Sequence, residues 1–395
     1  MSFFAILLYM LTYHTVIIGA GASGLFCAGS FAGPKLILDH NKLPGVKVGI
    51  SGGGKCNFTN LSVTAADYLC AQKHFCKNAL AAFKPQDFVR LLDEAGVLYE
   101  QRTHGQLFAK RAQDIVQFLV RRAKAAHTDF ALNTQVLEVR PENDAFVVRT
   151  SAGTVHAQHV VLACGGLSYP ALGATPFGIK TARQLGLNLV EQRPALCGLV
   201  VPKELRKLCQ TLAGNSTPAE VKTGKYTFTE QLLFTHEGIS GPAVLPASLF
   251  WNEGEKVTVN FLPGSDVLAL FHTYKNTPKK MSAILPLPGK MAPVLLGALD
   301  TPLANATKAQ LETAARQINA WEFIPAGTAG YTKAEVTAGG VDVREVNPST
   351  FETKKVPGLF IIGELLDVTG RLGGYNLHWA WASAWGAARE LIKKR

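Results

Sequence analysis

Two stretches near opposite ends of the chain combine residue types and spacings that suit a dinucleotide and its reactive ring. The first is Gly19-Ala-Gly21-Ala22-Ser23-Gly24, which follows the β-branched run 13–18 and opens a run of small residues. Glycine at 19 and 21 lets the backbone turn sharply and come close to a pyrophosphate, whose charge then rests on the N-terminus of the next helix. Gly24 lets that helix pack on the strand, and Ala22 and Ser23 lie inside the binding turn. Asp39 ends a second apolar run twenty residues after Gly19. An acid at that distance accepts hydrogen bonds from the 2′-hydroxyl of an adenosine ribose.

The second stretch is Pro357-Gly-Leu-Phe-Ile-Ile-Gly363-Glu364, followed by Leu365 to Arg371 and then Leu-Gly373-Gly374-Tyr375-Asn376. A carboxylate at the end of such a strand holds a ribityl hydroxyl. Gly373 and Gly374 allow close approach to a flat isoalloxazine, and the helix beyond them turns its positive end toward the pyrimidine side. That charge favours the anionic reduced flavin and hydride acceptance at N5. Between the two, Val160-Val-Leu-Ala-Cys-Gly165-Gly166 reads as a buried strand whose paired glycines pass close beside the nucleotide. His236 has the acid–base range for a general base, although a lone histidine in a turn is more often a structural hydrogen bonder. Tyr375 or Arg371 would orient a substrate beside the ring.

These residues require positioning elements. Strand, turn, helix and strand are expected over 13–39, and the glycine-rich segment 45–60 reads as an extended loop. Helices are expected at 66–83, 85–96 and 112–126, the last exposing Arg111, Arg121, Arg122 and Lys124. Strands follow at 132–140, 145–150 and 156–163. Near residue 190 the pattern changes to short strands at 199–201, 226–228, 231–234 and 256–261, with proline-broken helices over 265–315. Alternation returns at 334–343 and 358–363, before a final helix over about 376–393, whose Trp379, Trp381 and Trp385 are expected in the core. The pattern reads as an α/β chain whose middle piece, 190–330, looks like an inserted domain or pair of domains; the family resemblance given below implies a two-part Rossmann-like FAD-binding domain (1–189 and 331–395) around an inserted substrate region with a β-barrel-like and a small helical part.

The composition is that of an ordered globular protein, 47% hydrophobic and 17% charged. Forty Lys and Arg against 29 Asp and Glu give a net charge of +11, with the basic residues scattered. Seven cysteines without a CxxC pair argue against a zinc site or a vicinal redox disulfide and fit reduced thiols in a cytoplasm. No metal is expected. Residues 1–11 have too short an apolar run to cross a bilayer and read as an extension packing beside the first strand.

Taken together, Ser51-Gly-Gly-Gly-Lys55-Cys56-Asn57-Phe-Thr-Asn60, Leu233-Phe-Thr-His236-Glu-Gly-Ile-Ser-Gly-Pro242, Val336-Thr-Ala-Gly-Gly-Val341 and the Gly363–Asn376 segment resemble the bacterial flavoprotein family that contains aminoacetone oxidases and the bile-acid-inducible flavoprotein BaiN. The resemblance spans about residues 13–392 and implies FAD. By it, Gly19, Gly21, Gly24 and Asp39 hold the ADP half, while Lys55, Asn57, Glu364, Gly373, Gly374, Tyr375 and Asn376 surround the ribityl chain and ring. Asp39 stands where the family often has glutamate, and Lys55 where arginine is common, replacing a planar fork with a point charge. Cys56 lies within the motif, where a covalent-flavin or redox role competes with that of a buried structural thiol.

The segment 166–178 lacks the second GxGxxG unit that pyridine-nucleotide disulfide reductases carry. NAD(P)H, if it is the reductant, must dock transiently. The leading expectation is an FAD-dependent oxidoreductase exchanging hydride between flavin N5 and a small-molecule substrate, either reoxidised by oxygen as in amine oxidases or reduced by NAD(P)H. The scattered charge argues against a nucleic-acid partner. A flavin-dependent RNA-modifying enzyme with salt-sensitive tRNA binding is one alternative, and a structural or regulatory flavin protein is another. No membrane partner is expected, and the oligomeric state is left open.

Overall fold

The computed structural model describes residues 8–395. The chain divides into two compact units, residues 1–193 with 336–395, and residues 194–335. The divisions fall a few residues beyond the composition changes near 190 and 330, because strand Leu189–Ala195 pairs with Val336–Val341 inside the first unit.

The first unit is built on a mixed sheet. Strands β1 (Leu8–Ile18), β2 (Lys35–Leu38) and β3 (Thr128–Ala131) run parallel, in the order β3-β2-β1. On the other side of β1 the sheet continues into β4 (Val136–Glu142), β5 (Ala145–Thr150) and β6 (Gly153–Leu162), ordered β1-β6-β5-β4. The long β6 changes partner along its length. Residues 153–157 pair antiparallel with β5, and Val160–Leu162 pair in parallel with β7 (Leu359–Ile361). This pairing joins the two ends of the chain in one sheet. Val16, Ile17, Leu36 and Ile37 are fully buried, as expected of parallel strands covered on both faces.

The covering helices are α1 (Ala22–Ala28), α2 (Val46–Gly54), α3 (Ala112–Ala125) and α4 (Tyr375–Lys393). Trp379 and Trp381 are buried in α4; their indole N–H groups donate to the Gly363 and Phe58 carbonyls at 3.1 and 2.8 Å. On α3, Arg122 is half-buried rather than exposed, its Nη2 donating to the Gly29 carbonyl that ends α1.

Three expectations need correction. Residues 8–12 are part of β1 itself, not an extension beside it, and residues 1–7 lie outside the described residues. The segment 45–60 is not one loop: it forms α2 and a strand Asn57–Asn60, with left-handed Gly52 and Gly53 ending regular helix near residue 50. The segment 66–83 is not one helix. Its first part is the strand Tyr68–Cys70, paired antiparallel with Val368–Gly370, and helix begins only at Lys77. In each case a distant partner overrides local propensity.

In the second unit, seven short strands form an antiparallel sheet running from Trp321–Phe323 through Val257–Asn260, Ser216–Thr223, Tyr226–Phe234, Gly238–Ser240 and Leu199–Val200 to Gly327–Thr328. The two edge strands are separated by only residues 324–326, so the sheet curls until its edges are close. Phe234, Phe261 and Trp321 fill its core beside the helices Val267–Thr273, Met291–Leu296 and Lys308–Asn319. Among the described residues, no helix is long and apolar enough to cross a membrane.

Candidate cofactor and active site

The nucleotide turn closes on itself. The Gly19 N–H donates to the Leu38 carbonyl at 2.9 Å. Asp39 accepts from the Ala20 N–H at 2.7 Å through one oxygen and from the Asn41 N–H at 2.8 Å through the other. The acid expected to meet a ribose thus also ties the turn to the end of β2, keeping one lone pair per oxygen for a ligand. A Cβ on Gly24 would stand 2.0 Å from the Gly19 carbonyl oxygen, which forces glycine there. Ser23 is buried under Gly363, at the end of β7, where a Cβ would lie 2.6 Å from the serine Oγ.

Glu364 is the hub of a polar network. One oxygen accepts from the Thr337 N–H at 2.8 Å and the Ser168 hydroxyl at 3.3 Å, and the other from Lys47 Nζ at 2.9 Å. Lys47 also donates to Ser168 Oγ at 2.5 Å. Gly166 makes room for the hub, since a Cβ there would fall 2.9 Å from Glu364 and 2.5 Å from Thr337 Oγ1. Sequence reasoning found Glu364 and Gly166 but missed Lys47, Ser168 and Thr337. Thr337 lies in a motif already singled out; Lys47 follows Gly45 in a stretch whose glycines masked a helix.

The loop before α4 is fastened from outside. Asn376 spends its carboxamide on Gly370, accepting from its N–H at 2.8 Å and donating to its carbonyl at 2.9 Å. It acts as the loop's clasp. Asn60 donates to the Gly373 carbonyl at 3.1 Å. The Asn57 amide, with its oxygen toward the Gly374 N–H and its nitrogen toward the Leu107 and Thr59 carbonyls, makes each contact at 3.2 Å. Gly374 has φ +92° and leaves no space for a side chain, as a Cβ would lie 2.6 Å from the Thr59 oxygen. Gly373 faces Gln106. The Tyr68 hydroxyl donates to the Tyr375 carbonyl at 2.9 Å, and Arg371 lies 3.7 Å from Asp67. Burial and the Asp67 charge push the Tyr375 phenol above its ordinary value, so it stays protonated.

Other expected residues sit differently. Lys55 is half-exposed and 4.0 Å from Glu100; the lysine on Glu364 is Lys47. Cys56 is fully buried, and burial pushes its thiol up to about 12, which suits a structural thiol and opposes thiolate chemistry. His236 is exposed in the turn between Tyr226–Phe234 and Gly238–Ser240, in the other unit from Tyr375 and Arg371. None of the seven cysteines is in a disulfide, and no group of three or more His, Cys, Asp or Glu among the described residues could hold a metal ion.

The residues fit an FAD. A Cβ at Gly21 or Gly165 would meet nothing within 4 Å, so the backbone is open at the two glycines that flank the nucleotide turn. Neither α1 nor α4 has a side-chain cap, leaving their first amides to a ligand. Arg371 Nε is buried without a partner, a donor that calls for an acceptor.

The model of the HI0933-like protein Rossmann domain matches residues 13–390. The chain is 42% identical to the ribosomal RNA dihydrouridine synthase of Escherichia coli K12, over 96% of this chain and 98% of that one. It is 41% identical to the protein of the same name in Haemophilus influenzae, covering 96% and 99%. Identity to the 3-dehydro-bile acid delta(4,6)-reductase of Clostridium scindens is 31%, covering 96% and 98%. Among solved structures, a quinol-fumarate reductase with menaquinol shares the fold at TM-score 0.52 and 15% identity, covering 98% of this chain and 72% of that one.

Proposed function

Starting from the chain's membership of the HI0933-like Rossmann family of FAD-binding flavoprotein oxidoreductases, we propose that it reduces a carbon–carbon double bond conjugated to a carbonyl, and that the bond is C5=C6 of a uracil in ribosomal RNA. The observation that carries this reading is the pair of relatives at 42% and 41% identity, matched over nearly their whole length and both named for dihydrouridine synthesis in ribosomal RNA. The RNA alternative thereby moves ahead of the small-molecule substrate expected from the sequence.

FAD, when bound, supplies hydride transfer through its ring N5. Gly19, Gly21, Ala22, Ser23, Gly24 and Asp39, with Gly165 and Gly166 beside them, would hold its ADP half. Glu364, oriented by Lys47, Ser168 and Thr337, would hold the ribityl chain. Asn57 and Asn376 fix the 370–376 loop, whose glycines let the backbone approach the ring. The uracil gains one hydride and one proton. Tyr375, kept protonated by its surroundings, is the proton-bearing side chain at this loop, and the Arg371 cation stabilises charge growing on the uracil carbonyl oxygen. NAD(P)H is the proposed hydride source and docks transiently.

The test is expression of this chain in an E. coli strain deleted for its 42% identical relative, with dihydrouridine in digested ribosomal RNA measured by mass spectrometry. Dihydrouridine should reappear. Flavin-loaded protein accumulating with no dihydrouridine overturns the RNA reading. A second reading, a ring enone as substrate, is favoured by the 31% identical bile-acid reductase; it predicts that a 3-oxo-Δ4 steroid reoxidises the reduced flavin anaerobically.

A further inference from the structure

Glu100, in the strand Tyr99–Gln101, is shared by three cations. Arg102 donates to one of its oxygens through Nε and Nη2, at 2.9 and 2.6 Å. Lys110 Nζ donates to the other at 2.8 Å, and Lys55 Nζ lies 4.0 Å away. One carboxylate against three cations leaves two positive charges in excess. Hydrogen bonds from Lys110 and then Arg102 hold the Glu100 carboxyl down at about 2, so that balance persists at neutral pH. The Arg102 guanidinium carbon lies over the Phe108 ring, 4.1 Å from its centroid, a cation–π contact that holds the side chain in place. The side chains of Lys55, Arg102 and Lys110 are 51%, 38% and 54% exposed, so the cluster is open to a partner. The neighbouring Arg111 is neutralised by Asp114 and adds nothing to the excess.

The cluster is built onto the sheet that fastens the 370–376 loop. Glu100 stands opposite Phe108, and Phe108 opposite Asn57, which contacts Gly374. Two strand spacings, about 10 Å, therefore separate the Glu100 backbone from that of Asn57, the loop's anchor. Charge is also uneven along the chain. Residues 194–335 carry 13 Lys and Arg against 11 Asp and Glu, leaving +9 of the net +11 to the unit that contains this cluster.

We propose that Lys55, Arg102 and Lys110, organised around Glu100, form a clamp for RNA phosphates flanking the base that reacts at the 370–376 loop. This rests on the RNA reading above. Crowded like charges are relieved when a polyanion binds, and the released counterions make that binding salt-dependent. Arg102 supplies a planar fork for a phosphate, and the two lysines supply mobile point charges.

The test uses full-length, flavin-loaded protein and fluorescently labelled ribosomal RNA from the deletion strain, titrated between about 50 and 200 mM salt. The R102A/K110A variant should weaken binding about tenfold and flatten the plot of log affinity against log salt by one to two units, while keeping its flavin. Glu100→Gln should act in the opposite direction, tightening binding several-fold and steepening the slope, an outcome that a merely structural carboxylate would not produce. If both variants titrate like the parent while the parent restores dihydrouridine in cells, the clamp is wrong and the RNA reading stands. A parent that neither binds this RNA nor makes dihydrouridine removes both.

Discussion

At the nucleotide turn, the Gly24 side chain is excluded by an atom of the turn itself, the Gly19 carbonyl, and that of Gly19 by the Ala163 carbonyl just past β6. At the loop before α4, the blocking atoms come from across the molecule. Thr59 bars a side chain at Gly374, Asn60 holds the Gly373 carbonyl, and Tyr68 holds that of Tyr375. The turn is closed largely by its own next strand, through the Leu38 carbonyl and Asp39, with the end of β6 packed on Gly19. The loop is a joint, and its shape depends on strands made some three hundred residues earlier. Damage to the turn should therefore be global and damage to the loop local.

The largest effect is expected at Gly24→Ala. Its Cβ would collide with backbone, so the variant should lose more than about 4 kcal/mol and retain no flavin, as read by denaturant melts and absorbance. A soluble, yellow variant would break the contrast. Next comes the fastening of α4. His378 is fully buried, contacts Thr59 Oγ1 at 2.9 Å, and is pushed down to about 4 by burial. The unfolded chain binds this proton below about pH 6.5 and the folded chain does not, so stability should fall as pH drops from about 6.5 to 4. The loss amounts to on the order of 3 kcal/mol. A His378→Gln variant with the parent's acid profile would show that the loss arises elsewhere.

Gly374→Ala should cost more than the about 1–3 kcal/mol of its left-handed backbone alone, because its Cβ would also press on the Thr59 carbonyl. It should leave the nucleotide turn intact, so the protein should fold and still bind ADP by calorimetry while its catalysis is impaired; lost ADP binding would show that the two regions are not separable. The smallest effect belongs to His236→Ala. Exposed in the second unit, it should stay within about 0.5 kcal/mol of the parent and keep its flavin. A colourless variant would give this turn a structural part in the cofactor unit.

The same contrast explains what the amino-acid sequence disclosed. The Gly19–Gly24 turn with Asp39, the buried run of β6 and the final helix were legible because glycine spacing and hydrophobic period are local signals. Lys47, Ser168 and Thr337 were not, since nothing near Lys47 announces a carboxylate that lies 317 positions away. Tyr68 was hidden in a segment of helical composition because its strand exists only through Val368–Gly370. The basic cluster was missed for a related reason. Lys55, Arg102 and Lys110 form no tract in sequence, and only the register of three short strands gathers them around Glu100.

The parallel pairing of β6 with β7 also has a temporal side. During translation, β6 emerges before residues 194–335, and β7 and α4 only after them. Until then the edge of β6 over Val160–Leu162 has no β7 to cover it, an invitation to mispairing that a chaperone or rapid folding of the intervening unit must manage. Coenzyme loading is accordingly a late event in the protein's biogenesis, and truncated products ending within the insert should accumulate as colourless, sticky chains.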